Sequence, residues 1–265
     1  MTVGIAAITG SGEHIVTVSD RMISSGGIIQ AADDATLKQR RIAKTWGLMF
    51  SASDANLFLP IVRAAAGQLN QESEYDLVKI QDAVLLAYQN LFDSEFTSTY
   101  LSRYNMASVN TFMNIGLSQF GLERFSQICD QIATFDLEID LLGYGFDADK
   151  TPHIFQVCNP GKIINHDLLR YAVIGSGSWM ATAALRRKKM PYNLAETTYR
   201  VLDAKYSAET APGVGRSTTV FSFDKNGKTK SLGYGSHDKI KDIWEKTMQI
   251  PEPADAIDII SKTLA

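Results

Sequence analysis

Cysteine is scarce in this chain. Cys129 and Cys158 are the only two in 265 residues, too few for a disulfide framework, and a reducing compartment fits. Neither CxxC nor HExxH occurs and the four histidines are scattered, so no metal centre is implied. Cys129, at helical spacing in "FSQICDQIA", reads as a core residue. No run approaches the roughly 20 apolar residues needed to span a bilayer. The start has no basic segment leading into an apolar stretch, so it does not read as a secretory signal. Lys and Arg number 26 against 29 Asp and Glu, a net charge of −3 that supplies no basic field for nucleic acid. The phosphate-loop patterns GxGxxG and GxxxxGK[ST] are missing too. A cytoplasmic protein with no nucleic-acid or membrane partner is the expectation, and the lack of any Pro/Gly/Ser-rich linker makes it a single domain over 1–265.

What is present is an ordinary globular balance, 45% hydrophobic and 21% charged. "TVGIAAI" (2–8) and "HIVTVSD" (14–20) read as strands joined through the glycines of "TGSGE". "SSGGI" reads as a turn and "TWGLMFSAS" (45–53) as a third strand. Asp54 is a plausible N-cap for a helix over "ANLFLPIVRAAAGQL". Leu77, Ile80, Val84, Tyr88 and Leu91 make a helical stripe, and "SVNTFMNIGLSQFGLERFSQICDQIA" continues helical despite its glycines. Strands return over 137–146, 153–158 and 170–175. Helices are expected near 178–189 and 194–206, the second capped by Asn193 with Glu196 three residues on. A hairpin over 217–223 and 229–235 and two closing helices complete the chain. "LRRKKM" (185–190) reads as the solvated C-terminal end of a helix, with a phosphate-binding patch as the lesser alternative. Strand and helix blocks that alternate in this way imply an α+β, four-layer αββα sandwich with a C-terminal helical extension.

Four short stretches carry chemistry, and each has a plainer structural reading. Thr2 is either a β-branched residue opening a strand or a nucleophile. A threonine with a free α-amine, of pKa about 7.7–8.0, carries its own base. Asp20, in "VTVSDRM", is either a turn residue forming a surface ion pair with Arg21 or a carboxylate returned beside the chain start. Lys38, in "TLKQRR", is either part of a solvated charged face or the cation such a nucleophile requires. Ser176 lies in a strand-terminal "GSG" that could simply join a strand to a helix.

Taken together these stretches resemble the proteasome β-subunit family of N-terminal nucleophile hydrolases, and more closely its bacterial, proteasome-like relatives that begin Met-Thr. The resemblance covers Thr2 to about Ala55 and about Tyr171 to Leu185, and is looser over Thr219–Gly235. It implies that Thr2 is the nucleophile once Met1 is removed, Lys38 the active-site lysine and Asp20 its carboxylate partner. Ser176 would lie near the Thr2 amine, the backbone N–H near Ala52 would serve as oxyanion donor, and Phe50 would line a specificity pocket for apolar groups. It implies no cofactor, a homo-oligomer built as a ring or stack, and a peptide or acyl-amide substrate. Two departures stand out: Ala52 occupies a position that is often glycine, and "SAETAPGVGRSTT" replaces an Asp-x-x-Ser-Gly segment, with Ala211 near the Asp position and Glu209 or Ser217 as the available substitutes. Three functions follow from the resemblance: a threonine amidohydrolase, first of all a peptidase; a small-molecule acylase on the same fold; or, if Met1 stays in place, an inactive scaffold subunit.

Overall fold

The computed structural model describes residues 2–25, 28–32, 37–187 and 189–248. The expected closing helix over "ADAIDIISKTL" and the centre of the "SSGGI" turn lie outside these residues, as does Met1. Contact density divides the chain into Met1–Ser231 and Leu232–Ala265.

The first unit holds two five-stranded antiparallel sheets. One runs β10 (Tyr171–Ile174), β1 (Gly4–Ile8), β2 (His14–Asp20), β11 (Thr218–Asp224) and β12 (Thr229–Ser231). The other runs β5 (Gln39–Ala43), β6 (Trp46–Ala52), β7 (Ile139–Phe146), β8 (Pro152–Cys158) and β9 (Lys162–Asn165). A small ribbon pairs β3 (Ile23–Ser25) with β4 (Ile28–Ala32). Ala6, Ile8 and Ile15 of the first sheet meet Met49, Leu142, Phe146 and Ile154 of the second in a shared apolar layer. On the outer face of the second sheet, Trp46, Leu48, Phe50, Leu141 and Phe155 are covered by α1 (Phe58–Gly67) and α2 (Leu77–Phe96) through Ile61, Ile80, Val84 and Tyr88. On the outer face of the first sheet lie α4 (Ser178–Arg186) and α5 (Leu194–Ala208). This is the expected αββα sandwich. β1 reads as one unbroken apolar run because both of its faces are covered.

α3 (Val109–Thr134) is helical on either side of Gly121, whose φ of 75° and ψ of 168° break it and mark a kink. It forms its own cluster with the end of α2, through Phe96, Leu101, Phe112 and Ile128, and Cys129 packs at the edge of that cluster. Asp54 caps a short 3-10 turn over Ala55–Leu57, accepting from the Asn56 N–H, and α1 follows. Asn193 caps α5 by accepting from the Glu196 N–H at 2.8 Å. The hairpin strand expected over 229–235 stops at Ser231, and the second unit contributes α6 (Tyr234–Thr247), which begins just after Gly233. Among the described residues, no helix is long and apolar enough to cross a membrane.

One pH-dependent fastening lies where β7 turns into β8. His153 stacks on Trp46 with ring centroids 6.1 Å apart. Its Nδ1 is 2.8 Å from Asp167 and its Nε2 3.1 Å from Asp147. Burial of the ring works to lower its pKa, but the two carboxylates outweigh that and the net shift is upward. A folded-state pKa above the unfolded value stabilises the fold fully below the unfolded pKa, about 6.5, and the contribution fades as pH rises through the folded value. The stability difference between wild type and His153→Gln, from denaturant titrations, is therefore expected to be larger at pH 6 than at pH 8. An equal difference at both would contradict this assignment.

Candidate active site

The β1–β2 hairpin sets the site. With Gly4 opposite Ser19, Asp20 is brought beside the chain start: its N–H donates to the Val3 carbonyl at 3.2 Å, and the Val3 N–H donates to Asp20 Oδ1 at 3.0 Å. Gly4, Ala6 and Ile8 all face the second sheet, and the same alternation turns Thr2 toward it. Lys38, in a bend just before β5, arrives from that sheet; its carbonyl accepts from the Phe50 N–H at 3.2 Å.

Thr2, Asp20 and Lys38 converge there. The Lys38 ammonium donates to Thr2 Oγ1, Thr2 Oγ1 donates to Asp20 Oδ1, and Lys38 Nζ lies 2.9 Å from the same carboxylate oxygen. All three are buried, at 2%, 0% and 3% exposure. Asp20 is therefore no surface turn residue and Lys38 no solvated one. Desolvated charges of this kind persist only when every partner is supplied. Asp20 has further donors, with Oδ2 accepting from the N–H groups of Met22 at 3.2 Å and Gly215 at 3.1 Å.

Along β6 the hydrogen bonds alternate. The Ser53 N–H donates to Glu138, toward β7, while the Phe50 N–H donates to Lys38, toward β5. The Ala52 N–H points the same way as that of Phe50, past the Gln39 end of β5 and on the side from which Lys38 enters. The Ala52 methyl packs against the helical-layer core, so it stays out of the space in front of Thr2. Phe50 is 2% exposed and stacked on Phe58 with centroids 4.1 Å apart; its ring is buried beneath α1.

Ser176 comes from the turn after β10. Its hydroxyl is 3.4 Å from the Thr2 carbonyl and 3.2 Å from that of Pro212, and the Gly177 N–H donates to the Thr2 carbonyl at 3.2 Å. Gly175 has φ +93°, and a Cβ there would lie 2.3 Å from the Thr2 carbonyl oxygen, so the turn needs glycine to pass this close. In the segment after α5, the Glu209 carboxylate pairs with Lys205 and the Ala211 N–H closes a turn onto Ala208. It is the Gly215 N–H that reaches the charged cluster. Neither Gly215 nor Lys205 stood out in the sequence, although Lys205 falls three and four residues after the buried Leu202 and Val201, a core position of the helix. Arg186, Arg187 and Lys189 are exposed at the C-terminal end of α4, as the sequence suggests. α4 ends at Arg186, and Arg186 and Lys189 line a cavity of about 720 Å³ with Gly10 and Arg170, at the opposite end of β1 from Thr2.

No protein-family model matches the sequence, and no curated protein matches it. Among solved structures it is similar to the Anbu (Gly-1) mutant from Hyphomicrobium sp. strain MC1, with a TM-score of 0.63 over 96% of this chain and 99% of that one. The chain has the proteasome-like fold. At 13% identity the likeness is one of architecture alone, and any chemistry at the Thr2 cluster must be argued from this chain's own residues.

Proposed function

We propose that the chain is a threonine amidohydrolase, acting first of all on peptides, with Thr2 as the nucleophile once Met1 has been removed. The observation that carries this reading is the Thr2 hydroxyl held between the Lys38 ammonium and the Asp20 carboxylate in a buried cluster. The neutral Thr2 α-amine takes the hydroxyl proton, and Oγ1 forms a bond to the amide carbonyl carbon. Lys38, oriented by Asp20, stabilises the charge on Oγ1, and the Ala52 N–H stabilises the carbonyl oxygen. The C–N bond breaks as the leaving amine receives the proton. Water then hydrolyses the Thr2 ester and restores the hydroxyl. Ser176 is assigned to positioning the first residue through its carbonyl. Phe50, buried on Phe58 beneath α1, is assigned a supporting place behind the substrate pocket, not contact with the substrate. No cofactor enters these steps. Self-association is part of the proposal, supported by the likeness of fold and by apolar side chains open at the surface, Trp179 at 86% exposure and Leu168 fully exposed. A cytoplasmic location accords with the two unpaired cysteines.

A peptidyl epoxyketone tests the reading, because its two-bond adduct requires a hydroxyl and a free α-amine on the same residue. Protein whose intact mass shows loss of Met1 is expected to take up one equivalent, mapped to Thr2, and Thr2→Ala is expected to take up none. Processed protein that forms no adduct and hydrolyses nothing in a panel of peptides and acyl amides would overturn it. Retention of Met1 in the native host would favour the scaffold.

A further inference from the structure

We propose that Lys205 is a positioning residue for the Thr2 site, acting through the Gly215 N–H; the inference rests on the reading of Thr2 as nucleophile. Lys205 lies on α5, outside the cluster of Thr2, Asp20 and Lys38, yet it is completely buried. A buried ammonium has three donors to satisfy, and this one finds three acceptors: the Glu209 carboxylate one turn later, the Gly215 carbonyl at 3.0 Å and the Arg216 carbonyl at 2.9 Å. Two of the three are consecutive backbone groups of the segment leading into β11. The N–H of the first of those residues donates to Asp20 Oδ2 at 3.1 Å.

The chain of contacts is therefore short and continuous. Lys205 grips the carbonyl side of Gly215, and the amide side of the same residue fastens the carboxylate that orients Lys38. The surrounding packing holds the same parts together. A Cβ at Gly177 would meet Val214 at 2.9 Å, Ala208 at 3.0 Å and Val3 at 3.1 Å, so α5, the 214–216 segment and the first residues of the chain converge on one point. If Lys205 merely attached α5 to a loop, an apolar side chain in the same core position would do so without a desolvated charge. The ammonium adds direction, because its bonds fix the orientation of the peptide group whose neighbouring N–H faces Asp20. This also accounts for the "SAETAPGVGRSTT" segment. With alanine at position 211, support for the site comes from a backbone amide, and a lysine on the preceding helix aims it.

Two readouts on the full-length, Met1-processed protein test this. In protein labelled with ¹⁵N-glycine, Lys205→Met is expected to speed hydrogen exchange of the Gly215 amide by about tenfold or more, with glycines in the second sheet unchanged. Labelling of Thr2 by the epoxyketone is expected to slow by about 10- to 100-fold, a typical loss when a reacting group is misplaced. Gly215→Pro removes the same N–H and should slow labelling similarly, and the double variant should be no slower than the slower single one, because both act through one bond. Unchanged Gly215 exchange, or losses that multiply in the double variant, would overturn the role of Lys205. If Lys205→Met does not fold, Gly215→Pro decides by itself, and labelling at the wild-type rate refutes the proposal. Failure of the nucleophile reading looks different: the unsubstituted, processed protein is then not labelled at all, and the exchange measurement still reports whether Lys205 holds the amide.

Discussion

Lys38→Met is expected to slow acylation of Thr2 by about 10²- to 10³-fold, the scale on which loss of a group stabilising developing charge in a dry site is felt. The ammonium donates to the Thr2 hydroxyl oxygen and lies 2.9 Å from Asp20, and at 3% exposure water does not replace it. Without it the hydroxyl has only a carboxylate for a neighbour, and an alkoxide forming beside an unpaired negative charge is disfavoured. The same substitution should lower folding stability by about 3–5 kcal/mol, since it leaves a buried carboxylate without its cation. Epoxyketone labelling rates and urea melts measure the two effects separately. A variant labelled at more than a tenth of the wild-type rate would remove Lys38 from the mechanism.

The fold was legible where burial leaves a clean pattern, and obscure at sheet edges. β1, β2, β6 and β7 are covered on both faces, and their apolar runs show at once. β5 ("QRRIA") and β9 ("KIIN") close the two edges of the second sheet. Edge strands carry charge that deters pairing with other chains, so "LKQRR" looked like a solvated face although Lys38 and Gln39 in it are buried. The candidate site was legible in its side chains and obscure in its backbone. Thr2, Asp20, Lys38 and Ser176 can be singled out in the sequence through the family resemblance, which rests on residue type. The N–H groups of Val3, Met22 and Gly215 that hold Asp20 could come from almost any residue, so only the folded chain reveals them. Phe50 shows the same limit: an aromatic beside the site was evident, while its stacking under α1 on Phe58 depended on the strand's parity.

Asp20→Ala should be the more damaging to the fold. It removes the counter-charge of Lys38 and, in the same stroke, the acceptor for three backbone N–H groups and the Thr2 hydroxyl. Leaving one buried charge unpaired costs about 3–5 kcal/mol, and each orphaned donor about 1–3 kcal/mol where water cannot enter. Such a loss approaches the whole stability of an ordinary domain, about 5–15 kcal/mol, so the variant is expected to be largely unfolded at 25 °C by circular dichroism. Asp20→Asn combined with Lys38→Met makes a sharper comparison. The asparagine oxygen still accepts from the chain start and no charge remains to be paired, although its amide nitrogen faces the Met22 and Gly215 N–H groups and cannot accept from them. That double variant should lose about 2–6 kcal/mol, the cost of two orphaned donors at about 1–3 kcal/mol each, and so stay more stable than Asp20→Ala, while Thr2 stays unlabelled. A folded but inert double variant beside an unfolded single one would mean that the charges at this site are kept for chemistry, because the fold survives without them.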